Sequence, residues 1–208
     1  MRFPRTATVA IALVTAAFWL AIEAMGLKDN AGLLMGVVPA RLSGELALSP
    51  AVPELLTPLS STLVHGGLLH LALNLLMLLW CGTQVERVLG AKGLLIIYVA
   101  GAYAAALAQW AVDPRSLIPV IGASGAISGV VGAFALSFGQ TRRFTQSAQL
   151  NRWLNALWLL AAWIVLQLMT GYLAGQQGML LATPAHIGGF LAGLALQRPL
   201  LMWRYRNA

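Results

Sequence analysis

The chain has 208 residues, of which 59% are hydrophobic and only 9% charged, with a net charge of +7 and a mean hydropathy of +0.79. A soluble domain carries about 25% charged residues, so water cannot solvate this surface and lipid must cover most of it. At roughly 20 apolar residues per crossing, six crossings use about 120 residues, which excludes a large extramembrane domain, a coiled coil and a disordered chain.

The expected class is all-α: a polytopic bundle of six transmembrane helices forming one domain over residues 1–208. The first span, 8–27, follows Arg2 and Arg5. A basic start before an apolar run also suits a signal peptide, but the run is long and Ala21-Ile-Glu-Ala24 is a poor cleavage site. The next connection holds Pro39, Pro50, Pro53 and Pro58, yet its stretch from Gly32 to Val38 is apolar. That stretch is too short to cross and too apolar for a wet loop. It reads as an interfacial or re-entrant element packed beside the helices, where buried backbone can be satisfied. The remaining spans are placed at 65–82, 93–112, 119–138, 153–173 and 184–202. Cys81 is the lone cysteine, which excludes an internal disulfide and suits a small buried apolar side chain.

The basic residues are scattered, and no segment interleaves them with aromatics as a nucleic-acid groove would, so no nucleic-acid partner is expected. They sort by side instead. With the N-terminus inside, Arg2, Arg5, Arg87, Lys92, Arg142, Arg143, Arg152, Arg198, Arg204 and Arg206 lie in cytoplasmic segments. Only Lys28, Arg41 and Arg115 lie outside. This positive-inside pattern supports six spans with both termini cytoplasmic.

Polar groups at membrane depth are costly and mark function by default. All three histidines, His65, His70 and His186, fall inside or at the ends of apolar spans. The second, fourth and sixth spans share an orientation, so His70, Asn74, Ser124 and His186 are expected at similar depth in the outer leaflet. His70 and Asn74 are spaced i, i+4 and share a helix face. Ser124 lies in Gly122-Ala-Ser-Gly-Ala-Ile-Ser-Gly129; Ser124, Ser128 and Gly132 form one stripe, and Gly125 and Gly129 a neighbouring pair. Gly189 and Gly193 follow His186 at i+3 and i+7. Small residues let membrane helices approach closely, which would bring a serine hydroxyl to an imidazole as nucleophilic catalysis requires. Each feature alone has an ordinary packing explanation; the set does not.

With these motifs in view, His65-Gly-Gly-Leu-Leu-His70-Leu-Ala-Leu-Asn74, Gly122-Ala-Ser124-Gly125 and Ala185-His186-Ile-Gly-Gly189, the sequence resembles the rhomboid family of intramembrane serine proteases over nearly its whole length. The resemblance implies Ser124 as nucleophile and His186 as general base. It implies that His70, Asn74 and the Ser124 backbone N–H bind the oxyanion, with His65, Gly122 and Gly125 in support. It implies substrates with a single transmembrane segment, cut near the outer face; the expected location of the chain is a bacterial inner membrane. Glu86 matches a family position. Four positions depart: Leu56 and Thr57 where many members carry Trp-Arg, Val88 where a basic residue is common, and Ser128 where an aromatic often packs on the catalytic imidazole.

No acidic residue falls within a span at the outer level; Glu23 lies near the end of the first, with nothing to pair it to His186. The chemistry therefore reads as a Ser–His dyad. No cofactor or metal is expected: the chain has no His-Glu-x-x-His zinc motif, and haem would require imidazoles facing one another across helices. The alternative reading is a non-catalytic relative that binds membrane segments.

Overall fold

The computed structural model describes residues 6–138, 144–173 and 182–206. Arg2, Arg5, Arg142 and Arg143 of the charge pattern lie outside the described residues. Among those described, the structure is helical, with one isolated antiparallel bridge between Val37 and Val120.

Helix α1 (Ala7–Ala24) opens on Thr6, whose hydroxyl accepts from the Val9 N–H at 3.3 Å. The Glu86 carboxylate accepts from Ala7 N (2.8 Å), Thr8 N (2.9 Å) and Thr8 Oγ1 (2.6 Å). An anion there satisfies orphan donors and complements the helix dipole. Two short helices follow, α2 (Lys28–Met35) and α3 (Pro39–Leu42), then α4 (Thr57–Ser60) flanked by 3₁₀ turns. The connection enters the interior: Val37, Val38 and Ala40 are buried.

Helix α5 (Leu68–Met77) runs through a π-helical turn (Leu78–Gly82) into α6 (Thr83–Val112). Gly90 interrupts α6 with φ 75° and ψ 170°, so the helix is kinked there and the third apolar segment follows. Then come α7 (Ser124–Phe138), α8 (Ala148–Leu173) and α9 (Thr183–Arg204). The most extensive packing joins α6, α7 and α9 to one another; α7 is buried along most of its length.

Two expected boundaries are corrected. The second apolar segment becomes helical at Leu68 rather than at 65 and continues beyond 82 to the break at Gly90, so His65 lies in the lead-in and not in the helix. The fourth becomes helical at Ser124 rather than at 119. Val120 instead exchanges both backbone bonds with Val37 (3.0 and 2.8 Å), and Ser124 is the first helical residue rather than one several positions into a span.

By length and composition, Ala7–Ala24, Leu68–Val112 and Ala148–Met169 are long and apolar enough to cross a membrane. The exterior is apolar where that of a water-soluble protein is polar. Leu13, Leu20, Leu107, Leu157 and Val165 face outward, while Thr15, His70, Asn74, Gln109, Gln167 and Gln197 are buried beside the apolar core. An apolar exterior is what lipid solvation selects, and polar groups at such depth face the interior.

Candidate active site

The site is built on the turn that launches α7. Gly122 has φ 109°, which L side chains rarely adopt, and a Cβ there would lie 2.6 Å from His70 Cε1 and 2.7 Å from His70 Nε2. Glycine is required twice over, by conformation and by space. The Gly122 N–H donates to the Ser61 carbonyl at 2.9 Å, and the Ala123 N–H donates to His65 Nε2 at 3.4 Å. His65 thus holds the backbone just before Ser124.

Ser124 Oγ lies 2.9 Å from His186 Nε2, and both residues are buried. His186 stands near the start of α9, and glycines set the separation of α9 from α7. A Cβ on Gly189 would collide with the Gly125 carbonyl oxygen, one on Gly193 with that of Gly129, and one on Gly132 with that of Phe190. Gly125 and Gly129 therefore face the glycine stripe of α9 at backbone contact, and the hydroxyl and imidazole meet as a result.

His70 and Asn74 lie on α5 against the same turn. The His65 and His70 rings pack edge-on, with centroids 5.0 Å apart and an interplanar angle of 64°. Asn74 Nδ2 donates to the His70 carbonyl at 3.0 Å, which leaves its second N–H uncommitted. Both ring nitrogens of His70 are buried without a partner, so one N–H is free to donate. As the first residue of α7, Ser124 has a backbone N–H with no carbonyl four residues back inside the helix. A narrow cavity reaches Ser124 and His186 between Pro58, Ala105, Val120 and Gly122. Glu23 pairs with Lys28 at 3.9 Å rather than with His186.

Two residues of the site, Gln167 and Trp163, were not singled out for it by the sequence. Gln167 Nε2 lies 3.3 Å from His186 Nε2. The Trp163 ring stands edge-on to that of His186, with centroids 6.5 Å apart at 77°. Trp163 Nε1 donates to Ser128 Oγ at 2.7 Å, and Ser128 Oγ donates to the Ser124 carbonyl at 2.7 Å. The available signal was Gln167 itself, a polar side chain inside an apolar helix, with Trp163 one turn before it on the same face.

A hydroxyl bonded to an imidazole, with N–H groups converging on the adjoining backbone, has the parts of an acyl-transfer site. Comparison with known proteins gives the family. Residues 53–203 match the model of the Rhomboid domain. The chain is 32% identical over 139 residues to RHOMBOID-like protein 5 of Arabidopsis thaliana, covering 67% of this chain and 42% of that one. It is 31% identical over 141 residues to Rhomboid protease GluP of Bacillus subtilis (strain 168), covering 67% of this chain and 24% of that one. It is 30% identical over 143 residues to Rhomboid-like protease 3 of Toxoplasma gondii, covering 69% of this chain and 49% of that one. The matched region therefore spans less than half the length of each of these relatives.

Proposed function

Because the chain belongs to the rhomboid family, we propose that this integral membrane protein is an intramembrane serine endopeptidase that cleaves transmembrane segments of other proteins. The observation that carries this reading is the 2.9 Å contact between Ser124 Oγ and His186 Nε2. Neutral His186 accepts the Ser124 proton at Nε2 as Oγ attacks the scissile carbonyl carbon. Negative charge gathers on the carbonyl oxygen, where the His70 ring N–H, the Asn74 amide and the Ser124 backbone N–H stabilise it. The imidazolium returns its proton to the departing amine, leaving an acyl ester on Ser124. Water entering from the aqueous side then attacks the ester, giving its proton to His186, which passes it to the departing Ser124 Oγ as the acid product leaves. Every step uses side chains of this chain.

The proposal carries the membrane arrangement with it: six crossings in one domain, both termini cytoplasmic in a bacterial inner membrane, and the site toward the outer face. Substrates are proteins with a single transmembrane segment, whose ends unwind where small residues weaken the helix. Retention of both Ser124 and His186 separates this reading from a non-catalytic binder of membrane segments.

A serine-directed fluorophosphonate probe tests it. Wild-type protein in detergent should be labelled on Ser124, and wild-type membranes should release a soluble ectodomain from a single-span substrate. Ser124→Ala should do neither. Labelling that survives Ser124→Ala, or substrate binding with no cleavage by the wild type, overturns the proposal.

A further inference from the structure

A general base without a carboxylate partner still has to be held at one orientation. The geometry points to Trp163 and Gln167 of α8, acting with Ser128 of α7, as the residues that position the His186 ring; this rests on the reading of Ser124 and His186 as nucleophile and base.

The argument begins at Ser128, where the chain carries a small side chain instead of an aromatic. Ser128 is fully buried, and the ring beside His186 comes from another helix, as Trp163. The indole is itself buried and tied down: its N–H donates to Ser128 Oγ at 2.7 Å, and that hydroxyl donates to the Ser124 carbonyl at 2.7 Å. The ring that borders the base is thereby indexed to the backbone of the nucleophile. A larger residue at 128 would fill the space the indole uses, and a residue without an oxygen would leave the indole N–H unpaired.

Gln167 adds a second contact from the same helix. Its side-chain nitrogen lies 3.3 Å from His186 Nε2, the ring atom that Ser124 Oγ also meets at 2.9 Å, so the amide borders the reacting edge of the imidazole and limits its rotation. Trp163 and Gln167 are spaced i, i+4, so one face of α8 supplies both contacts.

The test uses full-length protein in detergent and compares Trp163→Phe, Ser128→Ala, their double variant and Gln167→Leu. The readouts are the rate of fluorophosphonate labelling at Ser124, kcat and KM on a single-span substrate, and Tm. Trp163→Phe removes the indole N–H bond, Ser128→Ala that bond and the one to the Ser124 carbonyl, and Gln167→Leu the contact with Nε2; each is expected to slow labelling about three- to tenfold, with kcat reduced and KM unchanged. Trp163→Phe and Ser128→Ala break the same link, so the double variant should be no slower than the worse single variant, whereas Gln167→Leu combined with either should multiply.

Wild-type labelling rates in Trp163→Phe and Gln167→Leu overturn the assignment, as does a full multiplication of losses between positions 128 and 163. Rates that simply track Tm across the series do the same, since that is how a packing role behaves. If the wild type labels on Ser124 and Ser124→Ala does not, these outcomes remove only the positioning role. If the wild type does not label at all, the protease reading fails and the clamp falls with it.

Discussion

The separation of α7 from α9 can be changed by one methyl group without touching any group proposed to do chemistry. A Cβ at Gly193 would overlap the Gly129 carbonyl oxygen, with the Gly129 carbonyl carbon 2.7 Å and the Ala133 nitrogen 3.0 Å away. All three are backbone atoms of α7 and cannot rotate aside. Relief requires the helices to part by on the order of 1 Å, a misplacement that costs roughly a hundredfold in rate. Ser124 Oγ and His186 Nε2 begin at 2.9 Å, so such a movement takes them out of hydrogen-bond range. Overpacking of this kind also destabilises a fold by about 1–3 kcal/mol. The assay is the rate of fluorophosphonate labelling of Gly193→Ala beside its Tm in the same detergent. Gly67→Ala is the control, because a Cβ there meets nothing within 4 Å and its φ of 170° is extended backbone. Labelling of Gly193→Ala at the wild-type rate would refute the claim that glycine contact brings the two side chains together.

Other outcomes follow from the same geometry. Asn74→Ala should lower turnover on a single-span substrate by roughly a hundred- to a thousandfold, the usual cost of one oxyanion donor, while Ser124→Ala abolishes it; full turnover in Asn74→Ala removes that residue from the site. Gly122→Ala should lose labelling, because it combines a left-handed φ of 109° with a Cβ 2.6 Å from the His70 ring; circular dichroism checks that the helices persist. Glu86→Gln should lower stability by about 1–2 kcal/mol at neutral pH, as loss of a helix cap does, read as a fall in Tm. Burial by itself would raise the Glu86 carboxyl, but the Thr8 and Ala7 donors outweigh it and hold the group below its ordinary value. A depressed folded pKa means that the stabilisation is complete above the unfolded value and disappears as pH falls through the folded one. The Tm gap between wild type and Glu86→Gln should therefore narrow on acidification; a gap independent of pH contradicts the assignment.

Ser124 and His186 were legible in the sequence for a physical reason: polar side chains are scarce in this chain, and glycines beside both announced close helix approach. Trp163 and Gln167 were not singled out, because the inward face of α8 is set by its rotation against α7. Along α8, Trp153, Trp158 and Trp163 are equivalent in the sequence, yet only Trp163 is buried among the three. Arg41 was read as a charge marking one side of the membrane. It is instead buried and tied to the Val52 carbonyl at 2.8 Å and to Glu54 at 3.1 Å, so in this chain a guanidinium from α3 fastens the first connection. Hydropathy also carried the fourth segment too far back, since a short apolar run has no periodicity that separates extended chain from helix.

That misplaced boundary explains why the first connection is apolar. A helix beginning at Ser124 leaves the chain just before it non-helical, and non-helical backbone at membrane depth persists only where the protein satisfies it. The preceding connection and lead-in supply the partners: Val37 pairs with Val120, the Ser61 carbonyl takes the Gly122 N–H, and His65 Nε2 takes that of Ala123. With those groups committed, the backbone N–H of Ser124 is the next in line, presented at a helix N-terminus where developing negative charge is favoured. The stretch from Gly32 to Val38 is therefore part of the site's construction. With Ser61 and His65, its Val37 replaces water as the partner of the backbone before Ser124 and lets a serine open a helix beside a buried histidine.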